Sequence, residues 1–468
     1  MKLYTRFFAD KLLFAVVLLI LGHPLVAQNT SPADIPNLLV WLKADSLVTL
    51  GTGTQVAAWG DGGGTVADNV AQATAGSRPD LVTDAGVLMN HKPVLRFSGT
   101  DELFGGIIAG AADSSLSVYV VANSSVVGTN FPGLISLGSP GGGYVMYRVV
   151  ANQLYTVENA NNSTGRMQGP INSMPGTHAY RIYSSIKQAG VSHKIYINTD
   201  SIASSTTAVA TGTFTNGVFR VGKTTGYGNW QGDIAEVIIY NRGLNAQQRK
   251  VVEDYLNYKY APPVNLGNDI VQTNSLCPVT LRAGNGFVGY LWSNGSTADS
   301  IRVAKSGQYW VRATNIFGRV SIDTINVTTP FSGMNVQDTL LCKGSTLILQ
   351  PNLLPGTYTY LWSDNSTSAT KTVSTASTYT LRISDGVCTV TSDTSIVRID
   401  TFASVRLLPN DTNLCSGSVL AFYTPTQSIS QILWSTGANT QQISISTPGA
   451  YYVTVTNTNG CQAIDTVN

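Results

Sequence analysis

Five cysteines have the most chemistry to offer, and four repeat one spacing: Cys342 to Cys388 and Cys415 to Cys461 are both 46 residues apart. That regularity predicts two disulfides, Cys342–Cys388 and Cys415–Cys461, each stabilising its loop by roughly 4 kcal/mol on a chain-entropy model. Cys277 holds the leading position of an earlier copy, but Arg319 stands where the closing cysteine belongs, so Cys277 is expected to be unpaired.

Groups for acid–base or nucleophilic work are sparse. The only four glutamates, Glu102, Glu158, Glu236 and Glu253, are too far apart in sequence for the Glu-x-Asp-x-Glu arrangement that places an acid and a nucleophile on one strand. His23 lies near the amino terminus, and His91, His178 and His193 are scattered without metal-ligand spacing. Gly141-Gly142-Gly143 precedes a strand-like run rather than a helix, so it reads as a turn and not a phosphate cradle. The expectation is therefore a protein that is not an enzyme. Rings beside amides are better represented: Tyr144, Tyr147 and Tyr155, the Asn159–Asn162 loop, and Tyr227 with Trp230 have the composition of a saccharide-binding face. For each ring the competing reading is core packing, and Trp41 and Trp59 are expected to be buried.

These residues must be positioned by strands. Trp292, Trp362 and Trp434, each in a Leu-Trp-Ser turn, are followed 17 residues later by Tyr309, Tyr379 and Tyr451, which marks a tandem array. In the third copy Tyr451, Val453 and Val455 alternate with Tyr452, Thr454 and Thr456, the period of a half-buried antiparallel strand. Short strands between turns predict small β-sandwiches at 263–331, 332–401 and 402–468, each with its tryptophan inside. The last copy stops before its final strand is complete when set beside the first, so the chain is expected to continue past Asn468.

Residues 28–262 show strand-like runs with one helix: Asn245 and Gln248 form a capping box, and Val251, Val252, Tyr255, Leu256 and Lys259 follow at helical spacing. Pro262-Pro263 ends it. Ahead of this lies an export signal at 1–27: Lys2, Arg6 and Lys11, an apolar run from Leu12 to Leu21 too short to span a bilayer, and Leu25-Val26-Ala27. With Asp10 against its three cations, that segment carries the whole formal charge of +2, leaving a neutral mature chain with no electrostatic footprint for nucleic acid or anionic lipid. The chain is thus read as all-β, exported, secreted or surface-held.

Two resemblances add to this reading. The order of early cysteine, Trp-Ser-x-Gly turn, Gly-x-Tyr strand and late Asn-Gly-Cys resembles the immunoglobulin-like repeats, related to PKD modules, of large Gram-negative surface proteins, which implies a spacer or stalk. Trp41-Leu42-Lys43-Ala44-Asp45, Arg96-Phe97-Ser98-Gly99-Thr100-Asp101 and the run from Gly232 to Arg242 with its trailing helix resemble the laminin-G-like, concanavalin A-type jelly roll. That resemblance implies a two-sheet sandwich that binds glycans or proteins, sometimes with calcium, and sometimes beside a catalytic module. It also implies calcium ligands among Asp101, Glu102, Asp233 and Glu236, with Asp101, Asp233 and Glu236 the leading set, although Ala235 removes one candidate oxygen. Three functions compete: a binding head on a stalk, the non-catalytic part of a secreted carbohydrate-active enzyme, and a purely structural surface protein.

Overall fold

The computed structural model describes residues 31–400 except 64–68, 107–114, 126–131, 139–143, 150–152, 159–165, 172, 174–178, 207–217 and 225–227, and then 411–413, 415, 420–423 and 429–468. The export signal, the Gly141–Gly143 turn, the Asn159–Asn162 loop, His178 and Tyr227 fall outside the described residues. The fold is all-β, with a single α-helix among the described residues. It divides into two compact units: 1–265 with 283–291 and 311–322, and 266–282 with 292–310 and 323–468.

The first unit is all-β, as its strand-like runs predict, and has the two-sheet jelly-roll form that the laminin-G-like resemblance implies. In its eight-stranded sheet, Gln231–Tyr240 runs between Leu116–Ala122 and Val94–Ser98 and also pairs with Leu38–Lys43. Leu116–Ala122 is buried along its whole length because both faces are covered. Val118, Val120 and Ala122 enter the core shared with the ten-stranded sheet, where Trp59, Trp230, Tyr144 and Phe97 lie, while Tyr119 and Val121 turn to the opposite face.

The helix Ala246–Tyr260 covers that opposite face. Its capping box is formed: the Gln248 N–H donates to Asn245 Oδ1 at 2.9 Å and the Asn245 N–H to Gln248 Oε1 at 3.2 Å. Val252, Leu256 and Tyr260 pack with Trp41, Tyr119, Ile182 and Ile238. Burying side chains of this size stabilises by about 1.5–3 kcal/mol each, which holds the helix on the sheet.

In the second unit the spacings of the repeats acquire physical causes. Trp292, Trp362 and Trp434 are buried, and each indole N–H donates to a carbonyl six residues on, at Ala298, Ser368 and Thr440. The tight turn after each tryptophan needs a left-handed residue, supplied by Gly295, Asn365 and Gly437. The 17-residue interval is a cross-strand one: the N–H of Ser293, Ser363 and Ser435 donates to the carbonyl of Trp310, Thr380 and Tyr452. Each tyrosine hydroxyl then donates to a carbonyl four residues earlier, at Lys305, Thr375 and Thr447.

The cysteine pairing departs from the expectation. Cys277 bonds Cys388 and Cys342 bonds Cys461, with Cα separations of 5.0 and 5.4 Å, and Cys415 is an exposed free thiol. Neither Cys342–Cys388 nor Cys415–Cys461 forms. Equal spacing within a repeat is equally compatible with bonds stepped back by one repeat, and the turn carrying each trailing cysteine decides between them. Asp385 accepts the N–H groups of Val387 and Cys388 and also that of Leu276 at 2.7 Å, which seats Cys388 beside Cys277. The Leu276 bond, with those from Cys388 and Val387, holds the Asp385 carboxyl down at about 2. In the third copy Asn457 Oδ1 accepts from Asn459 and Cys461, while the Asn457 and Asn459 amides donate to Asp400.

The first copy uses the same turn on a different support. Asn315 Oδ1 accepts from Phe317 and Arg319, its amide donates to the Ala261 carbonyl at 3.0 Å, and Phe317 is buried with the helix. Arg319 pairs with Asp254 of that helix at 2.6 Å. A cysteine there would find no thiol to meet.

Non-reducing peptide mapping is expected to recover Cys277–Cys388 and Cys342–Cys461 peptides, and iodoacetamide to modify the native chain at Cys415 alone. A Cys342–Cys388 peptide would refute the stepped pairing.

Candidate functional site

The family-resembling motifs converge on Glu236. A bulge between Ile234 and Glu236 in the strand Gln231–Tyr240 turns this side chain toward the helix, where it is 1% exposed. Its carboxylate accepts the Trp41 indole N–H at 2.6 Å, the Lys259 ammonium at 2.8 Å and the Tyr260 hydroxyl at 2.8 Å. Lys259 also reaches Asp45 at 3.0 Å. Burial, and then the negative charge of Glu236, push the Tyr255 and Tyr260 phenols far up, so both remain protonated. Trp41-Leu42-Lys43-Ala44-Asp45, the Gly232–Arg242 run and the end of the helix are thus joined through one carboxylate.

The other expected calcium ligands are committed in the same way. Asp233, 4% exposed, takes a bidentate Arg96 at 2.8 and 3.1 Å, the Tyr180 hydroxyl at 2.5 Å and the Asn123 amide at 3.3 Å. Asp101 accepts the Ser98 N–H at 2.5 Å and closes the Ser98–Asp101 turn, while Glu102 pairs with Arg220 and Lys223. The set Asp101, Asp233 and Glu236 does not fit a calcium ion, because each carboxylate already spends its oxygens on N–H, O–H or ammonium donors that a cation would have to displace. Among the described residues no group of three or more His, Cys, Asp or Glu side chains is arranged to hold a metal.

Two of the five candidate ring residues are core. Tyr144 and Trp230 are fully buried between the sheets, so neither presents a face to a ligand. Tyr144 shares the inward phase of its strand with Met146, and Trp230, whose backbone N–H donates to the Gly222 carbonyl at 2.7 Å, packs its ring in the same core. Tyr147 and Tyr155 stand opposite each other in the antiparallel pair Tyr144–Val149 and Gln153–Glu158. Their side chains, like all of Tyr227, lie outside the described residues. Trp41 and Trp59 are buried, as their context predicts.

His193 belongs to a buried polar cluster. Its Nε2 lies 2.8 Å from Ser185 Oγ and 3.4 Å from Thr156 Oγ1. Burial, with a smaller push from Lys187, lowers its pKa to about 3, so the ring is neutral. The contact has the shape of a base–nucleophile pair, but His193 and Ser185 are 3% and 1% exposed, which leaves no access for substrate.

Sequence reasoning missed a concavity of about 380 Å3 where the chain leaves the helix. It is built from Asn90 and His91, the Ala261-Pro262-Pro263 linker, and Asn285 and Phe287. No local motif could have announced it, because three segments far apart in sequence each supply one wall.

Comparison with known proteins places part of this unit. Residues 106–248 match the concanavalin A-like lectin/glucanases superfamily. That match covers the middle of the jelly roll and stops inside the helix. No curated protein matches the sequence. Among solved structures, similar folds include a Trypanosoma rangeli sialidase in complex with the inhibitor DANA, at 13% identity over 47% of this chain and 33% of that one, with a TM-score of 0.33. Domain 4 of an extracellular arabinanase from Geobacillus stearothermophilus, in complex with arabinotriose, gives 16% identity over 46% and 98%, with a TM-score of 0.32. The binding domain of a paraclostridial mosquitocidal protein gives 14% identity over 75% and 76%, with a TM-score of 0.36. The chain spans about a third of the length of the sialidase. Among the described residues no helix is long and apolar enough to cross a membrane.

Two measurements probe the buried charges. Glu236→Ala leaves Lys259 with Asp45 alone, Tyr260 with only the long bond to the Ala235 carbonyl, and the Trp41 indole donor without its acceptor, so it is expected to destabilise by about 2–4 kcal/mol and lower Tm by about 5–10 °C. A loss below about 1 kcal/mol would show that the carboxylate does not tie the motifs together. The folded pKa of His193 lies below its unfolded value of 6.5, so its contribution is full above that value and is lost as pH falls toward 3. Chemical denaturation is expected to show about 2 kcal/mol less stability at pH 5 than at pH 7.5, and His193→Gln should flatten that limb.

Proposed function

We propose that the chain is a carbohydrate-binding protein held at the outer cell surface or secreted, with residues 28–262 as its head. The repeats at 263–331, 332–401 and 402–468 act as an immunoglobulin-like stalk. The observation that carries the reading is the match of residues 106–248 to the lectin/glucanase superfamily, within a two-sheet sandwich. A fold of this class supplies a scaffold and leaves the ligand to its surface. The two disulfides support an oxidising compartment outside the cytosol. The commitment of Asp101, Asp233 and Glu236 to internal donors, and of His193 to a buried contact with Ser185, supports binding rather than catalysis.

The test is a glycan and polysaccharide array probed with the full chain, followed by titration. Binding is expected in the micromolar to millimolar range, since a shallow face with a few ring contacts yields about 4–8 kcal/mol. Chelation of calcium should leave it unchanged. Silence across the array, with and without calcium, would favour a purely structural surface protein.

A further inference from the structure

We propose that the cleft beside Pro262-Pro263 binds a neutral saccharide of one or two rings, so that the first repeat contributes part of the binding site. The proposal rests on the carbohydrate-binding reading and adds a place and a ligand class to it.

Hydrogen bonds and proline fix the backbone of two of the walls. Asn90 and His91 both adopt left-handed backbone, at φ 51° and 54°, where Asn90 caps the short 3-10 turn Val87–Met89. They are kept there by the surrounding bonds: the His91 N–H donates to the Gly86 carbonyl at 3.1 Å, the Asn90 amide to the Lys259 carbonyl at 3.0 Å, and His91 Nδ1 lies 2.9 Å from Asp84. Proline fixes the linker wall. On the third wall Phe287 is set edge-on to Tyr290, with ring centroids 6.0 Å apart and planes at 72°. A pocket preset in this way spares a ligand the cost of ordering it.

The chemistry selects the ligand class. Apolar surface comes from Pro262, Pro263 and Phe287, and hydrogen-bonding groups come from Asn90, His91 and Asn285. No Lys, Arg, Asp or Glu lines the cleft, and the Asp84 carboxylate that reaches His91 is paired with that ring, so the lining offers no unpaired countercharge for a phosphate, carboxylate or ammonium group. Flat apolar surface bordered by amides and an imidazole suits the C–H face and hydroxyl edge of a pyranose. The volume of about 380 Å3 lies at the small end of ligand pockets, which run from about 300 to 1,000 Å3.

The experiment uses the full chain, the highest-scoring array glycan as probe, and the variants Asn285→Ala, Phe287→Ala and His91→Ala, with a thermal melt for each. Asn285 is exposed, so Asn285→Ala is expected to keep the wild-type Tm while weakening binding about tenfold, with Phe287→Ala weaker still. Neutral glycans should outrank sialylated or sulfated ones on the array. If the wild type binds a glycan and both Asn285→Ala and His91→Ala bind it with unchanged Kd, or if acidic glycans rank first, the cleft is not the site and the carbohydrate-binding reading stands without it. If the wild type binds no glycan, both fail.

Discussion

A carboxylate buried against hydrocarbon persists only where donors replace the water it has lost, and Glu236 is the point at which this unit meets that demand. Its partners come from the first strand and from the far end of the helix, so the carboxylate fixes where the helix lies on the sheet. The helix in turn closes one face of the eight-stranded sheet and supplies Ala261, on which the Asn315 turn sits, and Asp254, which Arg319 meets. Replacing the whole set by apolar groups could be neutral, whereas removing one member leaves charge without solvent. The position of everything after residue 260 in this unit therefore depends on a polar contact within an otherwise apolar layer.

The sequence was most informative where a local rule has a single outcome. Asn245 and Gln248 state the start of the helix, Pro262-Pro263 state its end, and alternation in Tyr451–Thr456 is enough for a strand. It was ambiguous where two outcomes share one pattern. Tyr144 and Trp230 have the composition of a sugar platform and of a core equally, and only the phase of neighbouring strands separates them. Asp233 and Glu236 look like hard-cation ligands until the donors arriving from Arg96, Tyr180, Trp41 and Lys259 are counted, and those donors lie up to 195 residues away. The cysteine spacing likewise satisfies pairing within a repeat and pairing between repeats.

The Asx turn that ends in Arg319, Cys388 or Cys461 shows how one piece of backbone serves two kinds of neighbour. Its side chain organises the turn through the N–H groups that follow in every copy. What varies is the last residue: a cation where the support is a helix bearing Asp254, a thiol where the support is another repeat bearing a leading cysteine. A departure from consensus at Arg319 is thus the adaptation of a terminal copy to what lies before it.

The stepped disulfides give the repeats an uncommon connectivity. The two covalent loops interlock, since Cys342 lies inside the loop closed by Cys277–Cys388, and Cys388 inside the loop closed by Cys342–Cys461. Between Cys277 and Cys461 there is consequently no peptide bond whose cleavage alone would separate the two ends. A protease that nicks any one exposed turn in this stretch releases nothing, and a pulling force applied across it divides between two covalent routes rather than unravelling the chain end to end.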